Sequence, residues 1–225
     1  MWNKLGMASV AAALCTSASA VQVAWGDWWN AEGLLGAYID TPTGTVTALH
    51  GGALAGLMNC GIDRWAVGNY IGDANRPTCK GPAMYADSEN SVLFSSTVQN
   101  PYMALMGWNV QSVVFDAPFE LVSIGSGYYG EGTMTPNGDS TGFTGHGEVH
   151  AVIRFNGSFD AIGFEAINWA NGNDTHRAYT VGLATLPPVP EPGSWALMAL
   201  GLGLVGTALR RRQQPAMAPT GHGSS

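Results

Sequence analysis

His146, Glu148 and His150 stand at alternate positions and carry the side chains that a metal centre needs. Two imidazoles and a carboxylate can hold Zn2+ or a similar ion. On a strand, alternate residues share one face, so the three would line up. His176, beside Asp174, could add a fourth ligand. The same spacing also describes a polar, solvent-facing edge of a hairpin strand with Gly145 and Gly147 in a loop. That second reading is preferred, and no metal is assigned. Three oxygen-rich stretches, Gly72-Asp73-Ala74-Asn75, Asn137-Gly138-Asp139 and Asn171-Gly172-Asn173-Asp174, hold the donor atoms of a calcium loop. Turn formation is the simpler use of them. The chain has no G-x-S-x-G elbow, no HExxH and no phosphate-cradling glycine loop. No catalytic residue is nominated, no cofactor is expected, and the chain reads as non-enzymatic.

The tryptophans are the second source of chemistry. Trp25, Trp28 and Trp29 cluster, and Trp65, Trp108 and Trp169 follow. Indole faces stack on sugar rings, yet buried indoles are also the largest contributors to a sandwich core. Trp28 and Trp29 are neighbours, so on a strand they point to opposite faces. One belongs to the core and the other is at least partly exposed; both are carried as possible sugar contacts.

The elements that must position these groups read as strands. Trp65 to Ile71, Ser91 to Ser96, Tyr102 to Trp108, Gln111 to Asp116 and Phe119 to Ile124 are short β-like runs. Val149 to Phe155 alternates most clearly. It is followed by Asn156-Gly157 and then by Phe159 to Ile167, the strongest short hairpin signal in the chain. Tyr179 to Ala184 supplies a last strand, while Ala53 to Met58 is left open as a short helix or turn. Strands recurring about every ten residues without intervening helices predict an all-β, antiparallel β-sandwich, jelly-roll-like, over residues 21–185.

Composition agrees with an exported β-protein. Of the 225 residues, 11% are charged, less than half the usual share of roughly 25%. Between residues 21 and 190, five basic residues (Arg64, Arg76, Lys80, Arg154, Arg177) face fifteen acidic ones. That field repels a polyanion, so nucleic acid is not an expected partner.

Both ends speak of membranes. Lys4, the apolar run from Leu5 to Leu14 and the small-x-small triplet Ala18-Ser19-Ala20 predict a signal peptide over residues 1–20. Signal peptidase would cut it after Ala20. Export leaves Cys60 and Cys79 in an oxidising compartment, where an even pair favours a disulfide. Closing that loop should contribute about 3 kcal/mol. Residues 186–192 form a proline-rich linker that ends in Pro190-Glu191-Pro192 and should be extended. Gly193 to Leu209 contains no charge. As a helix it spans roughly 25 Å, against a hydrocarbon thickness of about 30 Å, enough for a transient membrane crossing. Arg210-Arg211-Arg212 follows and holds the cytoplasmic side. Residues 213–225 read as a disordered tail.

Val189-Pro190-Glu191-Pro192, the apolar segment and the arginine cluster resemble the PEP-CTERM sorting signal of exopolysaccharide-producing Gram-negative bacteria. The resemblance implies recognition and cleavage by an exosortase, a membrane-embedded cysteine transpeptidase or protease, with later surface display or release. The thirteen residues after Arg212 depart from the family, whose members usually stop sooner. Residues 90 to 185 resemble, more loosely, passenger domains that accompany this signal; the likeness brings no activity with it. The expectation is a surface or extracellular-matrix protein with a structural role, transiently anchored in the inner membrane. The alternatives are a module binding exopolysaccharide through exposed tryptophan and, further off, a metal-dependent hydrolase.

Overall fold

A computed structural model describes residues 21–52, 54–58, 62, 64–66, 76–77, 80–84, 88–168 and 177–185. Fifteen strands and one short 3-10 turn make up the described part. In chain order they are β1 (Gln22–Trp25), β2 (Asp27–Ala31), β3 (Leu34–Thr41), β4 (Gly44–Gly52), β5 (Leu54–Met58) and β6 (Gly81–Met84). There follow β7 (Ser88–Gln99), β8 (Tyr102–Met106), β9 (Val110–Phe115), β10 (Phe119–Gly125) and β11 (Gly132–Pro136). Then come β12 (Gly142–Gly147), β13 (His150–Phe155), β14 (Ser158–Asn168) and β15 (Ala178–Thr185). Every pairing is antiparallel.

The strands form two sheets that share one core, a β-sandwich. The eight-stranded sheet runs β11-β12-β9-β14-β7-β4-β3-β2. The seven-stranded sheet runs β10-β13-β8-β15-β6-β5, with β1 also on β15. Four pairs are nested one inside another: β8 with β15, β9 with β14, β10 with β13 and β11 with β12. They fall alternately in the two sheets, as a two-stranded ribbon folded over itself, the plan a jelly roll also uses. Phe115 meets Phe155 edge-on across the sheets at 5.2 Å, and Phe164 meets Tyr179 at 5.4 Å. Such aromatic pairs contribute about 0.5–1.5 kcal/mol each beyond their buried area.

Local sequence explains the clearest hairpin. In β3 the side chains of Leu35, Ala37 and Ile39 are buried while Leu34, Tyr38 and Asp40 are exposed, the period of two that a half-buried strand requires. The turn before it, Glu32-Gly33, has both φ angles positive, 52° and 84°. That mirror-image turn matches the right-handed twist of the strands on either side.

Three expectations need correction. Asn156-Gly157 does not make a hairpin, because β13 lies in the seven-stranded sheet and β14 in the eight-stranded one. The turn is a corner between sheets. It is held to the β7–β8 corner by Asn100 N donating to Gly157 O (2.8 Å) and Gly157 N donating to Asn100 Oδ1 (2.8 Å). Trp65 does not open a strand: Arg64–Ala66 is a 3-10 turn, and residues 67–71 lie outside the described part. Of the segment open between helix and turn at residues 53–58, Leu54–Met58 is strand β5, and residue 53 lies outside the described part.

The 3-10 turn has a structural consequence. Trp65 is fully buried, in a second apolar cluster with Val23, Trp25, Tyr102, Ala104, Met106, Val152 and Ala178. This cluster covers the outer side of the seven-stranded sheet. Strand β8 is therefore buried at every position, which is why Tyr-Met-Ala-Leu-Met reads as an unbroken apolar run rather than an alternation. The outer side of the eight-stranded sheet stays open: Leu34, Tyr38, Leu49, Leu93 and Val114 are all exposed there.

Candidate functional site

The three residues of the possible metal site are separated by the fold. His146 ends up exposed on β12 in the eight-stranded sheet, while His150 opens β13 in the seven-stranded sheet. Glu148 lies in the crossing between them, half-buried. The single-strand alignment that would bring the three side chains together is thus absent. Among the described residues no three His, Cys, Asp or Glu side chains are grouped to hold an ion. His150 is instead a packed residue, 1% exposed, stacked on Tyr129 at 6.4 Å. Its ring fills the space over Gly127, where any side chain would collide with it. Burial lowers its pKa from 6.5 to about 4. Tyr129 has its own pKa raised, chiefly by burial, with Arg64 opposing the shift. Arg64 also lies over the ring of Tyr128, 5.5 Å from its centre.

A second buried polar group escaped the sequence reading. His50 Nδ1 and Tyr179 Oη are 2.7 Å apart inside the core. Burial lowers the His50 pKa to about 4 and raises that of Tyr179 well above 10. The other ring nitrogen of His50 has no hydrogen-bond partner among the described residues. Trp28 completes the group: its ring packs edge-on against Tyr179 at 5.8 Å, and its Nε1 donates to Thr180 Oγ1 at 2.9 Å. These contacts join β2 and β4 of one sheet to β15 of the other. No local pattern announces them, because the partners lie 129 and 152 residues apart in the chain.

The two tryptophans carried as sugar contacts part company. Trp28 is 0% exposed and belongs to the core, so it is no surface contact. Trp29 is only half-buried, on the outer side of the eight-stranded sheet. Its indole lies over Gly36 of β3, where an added Cβ would stand 2.5 Å from Cζ2. A glycine is needed there for close approach, not for its backbone freedom. Tyr38, missed by the sequence reading, flanks it with ring centres 5.8 Å apart and planes inclined by 35°. The strand alternation that buries Ile39 puts Tyr38 outward, a signal present in Leu34–Thr41 once that strand is recognised.

The same side of the sheet carries polar groups. Thr45 Oγ1 donates to Asp40 Oδ1 at 2.6 Å, and Thr97 Oγ1 donates to Asp160 Oδ1 at 2.6 Å, all four residues exposed. At the rim, Lys80 Nζ meets Asp27 at 2.9 Å. At one end of the sandwich a hollow of about 460 Å3 has Val46, Val98 and Leu183 in its lining and the hydroxyls of Thr41, Thr43 and Thr97 around them. None of its lining residues is titratable, so it offers no acid or base.

Of the oxygen-rich stretches, Asn137-Gly138-Asp139 closes the β11–β12 hairpin. Asp139 Oδ1 accepts from Thr141 N (3.0 Å) and Thr141 Oγ1 (2.7 Å), and Asn137 Oδ1 accepts from Gly142 N (2.9 Å). Its oxygens are thus engaged within the turn, and the Thr141 bonds lower the Asp139 pKa. The stretches at 72–75 and 171–174 lie outside the described residues, as do Cys60 and Cys79, Trp169, His176, the signal segment with Ala18 and Ala20, and everything from residue 186 onward. Among the described residues no helix is long and apolar enough to cross a membrane.

The fold and its surfaces define an all-β, antiparallel sandwich within residues 21–185, and the C-terminal part of the chain, from residue 188, is divided from it. That C-terminal part carries the identifying feature: residues 188–212 match the PEP-CTERM protein-sorting motif. The match takes in Pro190-Glu191-Pro192, the apolar segment and all three arginines. Neither a curated protein nor a solved structure matches the chain.

Proposed function

We propose that this protein is an exported, non-enzymatic component of the cell surface or extracellular matrix, delivered by exosortase processing and associated there with exopolysaccharide. The observation that carries the reading is the sorting motif at residues 188–212. Signal peptidase removes residues 1–20, the apolar segment pauses in the inner membrane, and an exosortase acts near Pro190-Glu191-Pro192. The body supports a passive role through its chemistry: its buried histidines are packing residues, and its open sheet face carries aromatic and hydroxyl groups. The hydrolase alternative drew on His146, Glu148 and His150 sharing one strand, and His146 and His150 instead occupy β12 and β13 of different sheets.

Intact mass of the protein recovered from its producing cells tests the processing. The expected product lacks residues 1–20 and the segment beyond the motif, and it carries the Cys60–Cys79 disulfide. Replacing Glu191 by Ala should leave the C-terminal segment attached and reduce surface retention. A full-length chain in the cytosol, with both termini intact, would overturn the proposal.

A further inference from the structure

We infer that the outer side of the eight-stranded sheet is a platform for an uncharged polysaccharide strand, with Trp29 and Tyr38 as its stacking surface. The inference rests on the matrix reading for its biological setting, but the binding itself is a property of the folded body.

The geometry begins with Gly36. Because that position has no side chain, the Trp29 indole can pack close over the β3 backbone, with Cζ2 and Cε2 nearest to it. Tyr38, 50% exposed, neighbours the indole with ring centres 5.8 Å apart and planes inclined by 35°. Aromatic faces are electron-rich and polarisable, and the axial C–H bonds of a pyranose ring carry partial positive charge, so the two stack without needing any net charge. Leu49 and Leu93 continue the Trp29–Gly36 row across β4 and β7 and are both exposed. The next row holds Tyr38, Thr47 and Ser95, with Thr47 N donating to Ser95 Oγ at 3.0 Å. The face therefore sets apolar groups beside short hydroxyl side chains. A glycan presents the same mixture of C–H faces and hydroxyl edges.

Charge selects among occupants. None of the outward positions of β2, β3, β4, β7 and β14 among the described residues carries a basic side chain, whereas Asp27, Asp40, Glu89, Asp160 and Glu165 all lie exposed on those strands. Lys80 meets Asp27 at the rim of this acidic field. A uronate-rich or sulfated chain would be repelled. A second copy of this protein meeting face to face would bring two acidic surfaces together, which disfavours self-association here. Carboxylates that already hold hydroxyl donors, as Asp40 holds Thr45 and Asp160 holds Thr97, are suited to accepting sugar hydroxyls as well.

Affinity electrophoresis of the purified protein in gels containing hydroxyethylcellulose or alginate tests the inference. Retardation is expected with hydroxyethylcellulose and not with alginate. Tyr38→Ala should weaken the retardation about tenfold, and Trp29→Ala should do the same with the melting temperature checked alongside. Because Tyr38 is half exposed, its removal keeps the test independent of any folding defect in the Trp29 variant. No retardation on the uncharged polymer, equal retardation on alginate, or retardation untouched by Tyr38→Ala would each overturn it. Failed processing in cells would leave this measurement unaffected, so the two proposals fail separately.

Discussion

Mild acidification should weaken this fold, and two buried histidines set the range. His50 and His150 are 9% and 1% exposed, and burial holds each at about 4 instead of 6.5. The folded state therefore binds fewer protons than the unfolded chain between those values, so stability rises with pH across that interval. The contribution is fully present above pH 6.5, drains away as the pH falls toward 4, and is constant below it. Each ring accounts for about 3 kcal/mol at most, and the two together for a large share of a typical total of about 5–15 kcal/mol. Urea denaturation followed by tryptophan emission, from about pH 7.5 down to about pH 4, measures the slope. Trp28, Trp65 and Trp108 are fully buried and report the transition. His50→Gln keeps a partner for Tyr179 Oη but does not titrate, and His150→Gln removes the other proton. Each substitution should remove about half of the pH dependence, whatever it does to stability at neutral pH. A flat profile in the parent protein, or an unchanged slope in the double variant, would refute the reasoning.

The remaining expectations are narrower. Trp28→Ala leaves a core cavity and deprives Thr180 of its donor, so the urea midpoint should fall by the equivalent of about 3–5 kcal/mol with an unchanged slope. Gly36→Ala places a methyl group 2.5 Å from Cζ2 of Trp29; the indole should swing off the sheet, shifting its emission to the red and reducing polysaccharide retardation while the melting temperature changes little. Arg154→Gln removes the hydrogen bond and charge that lower the Glu120 pKa, so the Glu120 carboxyl should titrate at higher pH by carbon-13 NMR.

Much of the architecture follows from local pattern. Short apolar runs at regular spacing point to an antiparallel sandwich, and Phe119 to Ile124 falls within β10 almost residue for residue. The sorting motif is legible for the same reason: its chemistry is carried by contiguous residues, a proline-bounded acid, an apolar stretch and a cationic stop. Adjacency also settles that Trp28 and Trp29 face opposite ways.

What local pattern could not reach was the assignment of strands to sheets. Asn156-Gly157 has the composition of a hairpin turn, yet the chain crosses there between the two layers, because β13 pairs with β8 and β10 while β14 pairs with β7 and β9. The same kind of crossing between Gly147 and His150 parts the two histidines that alternation had placed together. Which of the two tryptophans is the buried one depends on contacts from β15, far away in the chain, where Tyr179 and Thr180 meet Trp28. Side-chain direction along a strand is a local property with a period of two. Which layer that strand joins, and whether its outer face is then covered, is decided by packing energy summed over residues more than a hundred positions apart.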